Sequence, residues 1–64
     1  MKHNEFVVEF KDGSMDWVDP VSELWEDDEK IYVNNHSFTY EYDKSSISKW
    51  VVRPYNSDTT YDAI

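Results

Sequence analysis

The sequence predicts an all-β domain of short antiparallel strands, and three observations carry that prediction. The stretch Lys30 to Tyr42, KIYVNNHSFTYEY, alternates apolar and polar residues on both sides of a polar break, the period of two of half-buried strands. Asp12-Gly13 separates two further alternating segments and holds the only glycine of the chain, where a tight hairpin turn needs positive φ. The segments between turn signals are short, as in a sheet of tightly connected strands.

Taken in order, Glu5 to Phe10 reads as a strand with Phe6, Val8 and Phe10 on its inner face and Glu5, Val7 and Glu9 on the other. Asp12-Gly13 is expected to form a type I′ turn into Met15 to Val18, where Met15 and Trp17 share a face. Asp19-Pro20 ends that strand, because proline has no N–H for the ladder. Val21 to Glu26 admits two readings. Asp19 as N-cap, Pro20 at the first helical position and Val21, Leu24 and Trp25 at helical spacing would make a short helix. Glu26, Asp27, Asp28 and Glu29 would then crowd the negative end of its dipole, so a short strand followed by a turn at Asp27-Asp28-Glu29 is preferred.

The central hairpin follows, with Ile31 and Val33 inward on one arm, Phe38, Tyr40 and Tyr42 alternating on the other, and Asn34 to Ser37 as the turn. Asp43 to Ser46 reads as a turn or a single 3₁₀ turn that lowers Ile47 into the core. Lys49 to Arg53 is the last strand, with Trp50 and Val52 opposite in direction to Val51 and Arg53, and Pro54 closes it. Residues 1–54 thus form one β domain, and 55–64, without periodic apolar pattern, are expected to be a flexible tail. Five to six strands joined between sequence neighbours make an antiparallel meander, expected to roll into an SH3-like barrel or a strongly curled sheet.

A chain of 64 residues has room for one small core and buries only roughly 60% of its unfolded surface. Without cysteine it has no disulfide framework, so stability rests on its aromatic residues, 17% of the chain, buried as core and cross-strand pairs or between subunits. The N-terminal MKHNEFVVEF lacks the apolar run of a signal peptide, and no segment approaches the roughly 20 apolar residues of a membrane span. A soluble, cytoplasmic protein is expected.

The net charge of −8 is unevenly spread. Residues 1–29 hold ten carboxylates against Lys2 and Lys11, 2 − 10 = −8, whereas residues 30–64 balance at 4 − 4 = 0. Such a field repels nucleic acid and anionic lipid and attracts basic protein surfaces.

The residue types argue against catalysis. Glu26 to Glu29 lacks the spaced ligand pattern of a calcium loop, so no metal is expected. His3 and His36 lie far apart in sequence, and Ser45, Ser46 and Ser48 near Lys44 and Lys49 would need a pocket that so short a chain hardly encloses. One glycine makes no phosphate loop, and only Lys44, Lys49 and Arg53 offer positive charge for a nucleic acid. No enzyme, no cofactor and no direct nucleic-acid contact are expected.

The acidic half has a sharper reading. Outward carboxylates about 6.6 Å apart along a strand and about 4.8 Å apart between strands form an array of negative charge, and duplex DNA presents one too, with a charge per roughly 1.7 Å of axis. Glu23, Glu26, Asp27, Asp28 and Glu29, with Asp16 and Asp19, are therefore the candidate partner-binding surface, with Trp25 as its aromatic anchor. The expected partner is a basic surface of another protein, with a homodimer or higher oligomer as a further expectation.

The succession FKDGSMDWVDP and DDEKIYVNNHSFTYEYDKSSISKWVV resembles, in style and segment order over residues 5–53, the small acidic proteins carried by phages and prophages of low-GC bacteria. The resemblance implies a non-enzymatic inhibitor of a host nucleic-acid-handling or defence protein, in the manner of DNA mimics and anti-CRISPR proteins. Alternatively it implies a small homo-oligomeric assembly protein of a phage. The defining motifs of the named inhibitors are absent, and no functional residue carries over.

Overall fold

The structure, a computed structural model, describes residues 3–55. It is all-β apart from one 3₁₀ turn: β1 (Asn4–Phe10), β2 (Met15–Val18), β3 (Glu23–Glu26), β4 (Lys30–Asn34), β5 (Thr39–Asp43), the 3₁₀ turn Lys44–Ser46 and β6 (Ile47–Pro54). The strands form two three-stranded antiparallel sheets, in the orders β2-β1-β6 and β3-β4-β5. No closed barrel is formed among the described residues. The meander expectation is corrected too. β6 returns to the far side of β1, with Asn4 opposite Pro54 and Val7 opposite Val51, a pairing between the two ends of the domain that local turn signals do not encode.

Turn chemistry explains where the strands stop. Gly13 takes φ +91°, and Asp12 Oδ1 accepts from the backbone N–H and the hydroxyl of Ser14. Only Gly13 of the pair has positive φ, so this is not the expected type I′ turn. In the central hairpin the left-handed residue is His36, φ +84°, not an asparagine. The asparagines act through their side chains: Asn34 Oδ1 accepts from His36 N–H, and Asn35 Oδ1 from the N–H groups of Ser37 and Phe38. The ambiguous segment contains strand β3, paired from Glu23 opposite Asn34 to Glu26 opposite Ile31. Tyr55, grouped by sequence with the tail, donates its N–H to the His3 carbonyl and stacks on the His3 ring at 4.6 Å. The rest of the expected tail lies outside the described residues.

The core sits between the sheets. Phe6, Val8 and Val18 from one meet Ile31, Val33 and Tyr42 from the other, with Phe10, Val21, Leu24 and Ile47 packed around them. Phe6 lies at the centre, its ring 5.4 Å from that of Tyr42 and 5.8 Å from that of Trp50. A fully buried side chain of this size stabilises the fold by about 1.5–3 kcal/mol. The tryptophans do not fill this core: Trp17, Trp25 and Trp50 are each at least 37% exposed. Aliphatic side chains with Phe6 and Tyr42 suffice for so thin a layer, and the indoles are left at its margins and outer faces.

β1 is buried on both sides. Val7, read from the sequence as outward, is fully buried, because it stands between Trp17 and Val51 in register on the flanking strands. Beside it Glu5, 2% exposed, accepts from Arg53 Nε at 2.7 Å.

Candidate acidic and aromatic face

The outward face of the sheet β3-β4-β5 carries part of the acidic and aromatic set that the sequence assigned to a surface. Alternation along the paired strands puts Glu23 and Trp25 of β3, Lys30, Tyr32 and Asn34 of β4, and Thr39, Glu41 and Asp43 of β5 on this side. Trp25 lies directly opposite Tyr32, and their rings stack at 5.5 Å with 11° between planes. Glu41 lies opposite Tyr32 on the other flank, and Asp43 opposite Lys30.

Hydrogen bonds hold this face in place. Asp27, at the start of the turn after β3, accepts through Oδ1 from the N–H groups of Glu29 and Lys30 at 2.8 and 2.7 Å and through Oδ2 from the Tyr32 hydroxyl at 2.9 Å. These donors, the Glu29 N–H foremost, hold its carboxyl below the usual carboxylate range. The same bond pushes the Tyr32 hydroxyl pKa up. Lys30 Nζ donates to Glu41 Oε1 at 3.3 Å, which raises its own pKa. On the far side, Asn34 accepts from the Ser22 hydroxyl and donates to Thr39 Oγ1. Tyr32 is thereby fixed, and with it the ring against which Trp25 rests.

The structure divides the acidic residues expected to act together. Glu23, Asp28 and Glu29 are exposed, and among the described residues no ion pair or hydrogen bond engages their carboxylates. Asp27 is a turn brace. Glu26 alternates to the inner side and pairs with Lys44 at 2.7 Å on the rim of an open cleft of about 510 Å³ lined also by Ile31, Ile47 and Trp50. Asp16 serves the join between the sheets, its Oδ2 accepting from the Tyr42 hydroxyl at 3.0 Å. Asp19 is half-buried beside Pro20. Among the described residues, the ion pairs Arg53–Glu5, Lys49–Glu9 and Lys44–Glu26 join a cation of the neutral half to an acid of the acidic half, so the uneven charge along the chain is partly levelled in space.

Sequence reasoning missed Tyr32, Glu41 and Asp43 as members of this face. The signal was the hairpin register, which places Tyr32 opposite Glu41 once the turn is known to span 35–38. Among the described residues no group of three or more histidine, cysteine or carboxylate side chains could hold a metal ion, and no helix is long and apolar enough to cross a membrane.

No protein-family model matches the chain, and no curated protein or solved structure matches it. What the fold and site define is a class: a two-sheet β domain with one outward face buried at its centre, at Glu5 and Val7, and one carrying carboxylates and a stacked aromatic pair.

Proposed function

We propose that this protein is a non-enzymatic acidic binding protein that presents the outward face of the sheet β3-β4-β5 to a basic surface of another protein. The observation that carries this reading is the exposed Trp25, stacked on a hydrogen-bonded Tyr32 and flanked in sequence by Glu23 and Asp27, with Glu41 and Asp43 across the same face on β5 and Asp28 and Glu29 on the adjoining turn. Carboxylates steer a basic partner and an aromatic side chain gives the contact area that a bound state needs. In its finer form the reading is an inhibitor of the phage type, acting in the host cytoplasm, that occupies the nucleic-acid groove of a host enzyme or defence protein. We also take the order in which β6 returns to β1 after a 3₁₀ turn as that of an open SH3-like roll.

The test compares the wild-type protein with a Glu23→Gln/Asp28→Asn/Glu29→Gln variant as baits in a bacterial lysate at low ionic strength. Asp27 is left intact because it braces the turn. A partner released from the wild type by moderate salt and not held by the variant supports the reading, since exposed charge is screened within about 8 Å at physiological ionic strength. A partner held equally by both baits, or through high salt, sinks it.

A second reading, a homo-oligomeric assembly protein, is favoured by one feature. Tyr40, Trp50 and Val52 lie on the inner sides of β5 and β6, each at least 37% exposed, where these two edge strands remain unpaired with each other. Recovery of only the protein itself, as an oligomer that salt does not dissociate, would favour it.

A further inference from the structure

We infer that Trp25 is a receptor for an arginine side chain of the partner, bound by stacking of the guanidinium on the indole. The inference rests on the acidic-face reading and names the chemistry that the face selects.

Trp25 and Tyr32 stand nearly parallel, 11° between planes, on neighbouring strands. One face of the indole is therefore turned to Tyr32. β3 is the outer strand of its sheet, so no further strand borders the other face, and Trp25 is 43% exposed. An indole is the strongest of the aromatic cation receptors. Its surroundings add the sign: Glu23 lies two residues before it on the same strand, Asp27 two residues after, and Glu41 across the sheet beyond Tyr32. Among the described residues Lys30 is the one cation on this face, and it is engaged by Glu41.

Parallel rings also decide between the two basic side chains. An ammonium is held best by aromatic walls set at angles around it, and two parallel rings offer no such enclosure. A guanidinium is planar and weakly hydrated, stacks flat on one open face, and still points its N–H groups outward in its plane. On this surface those groups meet carboxylates: Glu23 and Asp27 flank the ring along the strand. Arginine gains both the stack and the fork of charge-assisted hydrogen bonds, whereas lysine gains only the charge.

The experiment uses the full chain, labelled with ¹⁵N, titrated at low ionic strength with acetylated Gly-Arg-Gly-Arg-Gly and with the matched lysine peptide. The indole N–H signals of Trp17, Trp25 and Trp50 are assigned by Trp→Phe variants. The expected result is that the Trp25 signal moves first and that the arginine peptide binds about three- to fivefold more tightly than the lysine peptide. In Trp25→Leu, whose spectrum should remain that of a folded protein, the two peptides should bind alike. A Glu23→Gln/Glu41→Gln variant should weaken both peptides and narrow the arginine preference, because Glu23 supplies part of the hydrogen-bonding fork. Equal affinity of the two peptides for the wild type, or an arginine preference that survives Trp25→Leu, overturns the arginine site. In that case loss of both peptides from the carboxylate variant still upholds the acidic face. Absence of binding by either peptide overturns both.

Discussion

In the sheet β2-β1-β6 the centre of the outward face is covered by its own side chains: Val7 is fully buried between Trp17 and Val51, and Glu5 is sealed against Arg53, while Trp17 itself stays exposed at the flank. In the sheet β3-β4-β5 none of the outward side chains is buried. Both sheets have three strands and contribute three buried side chains to the shared core. The difference lies in what the central strand presents outward. β1 presents a valine with a large apolar neighbour on each side, and water is excluded. β4 presents Lys30, Tyr32 and Asn34, whose partners are carboxylates, hydroxyls and one stacked indole, and water remains. The first sheet thus buries the outward side of its central strand, and the second leaves its outward side chains in contact with water.

Removing the seal should have the largest effect. Arg53→Met would leave the Glu5 carboxylate in a buried position without its cation, and such a loss costs about 3–5 kcal/mol. For a domain of this size that removes most of the stability, which urea unfolding would show as a midpoint shifted close to zero. The double variant Glu5→Leu/Arg53→Met should recover much of the loss, since apolar replacement of a buried ion pair is often neutral. A loss below about 1 kcal/mol for the single variant would mean that the two outward faces are equally open.

The join between the sheets should respond less. Tyr42→Phe deletes the hydrogen bond to Asp16 while keeping the ring against Phe6, with an expected loss of about 1 kcal/mol. Burial, and then the bond to Asp16, push the Tyr42 hydroxyl well above its ordinary pKa. Because the folded-state pKa is raised, the stability it contributes is complete below the unfolded value of about 10 and declines as pH rises beyond it. Wild-type protein should therefore lose stability above that pH more steeply than Tyr42→Phe; parallel alkaline profiles would contradict this.

Lys44→Gln should have the smallest effect. Lys44 and Glu26 are 32% and 48% exposed, and a pair so placed contributes about 0–1 kcal/mol. Its urea midpoint should stay close to wild type in low and high salt alike. A large loss would mark the cleft beside Trp50 as part of the core.

Local chemistry was legible in the sequence wherever it repeats with a short period. The alternation in Phe6-Val8-Phe10 and in Ile31-Val33, the Gly13 turn and the 3₁₀ turn before Ile47 follow from side chains and backbone preferences that act within a few residues. So did the preference for a strand over a helix ahead of Asp27, because the carboxylates that follow disfavour a helix C-terminus there. The pairing of β1 with β6 did not, since it joins residues such as Glu5 and Arg53 across nearly the whole domain and no local signal selects the partner. That one pairing decided most of what the sequence left open: with β2 on the other side it buried Val7, it turned Glu5 from a surface acid into half of a sealed pair, and it drew Lys49 and Arg53 onto Glu9 and Glu5. Register decided the rest. By setting Tyr32 opposite both Trp25 and Glu41, it separated the carboxylates that brace the fold from those that face outward, a division that side-chain type alone cannot make because every Asp and Glu carries the same charge.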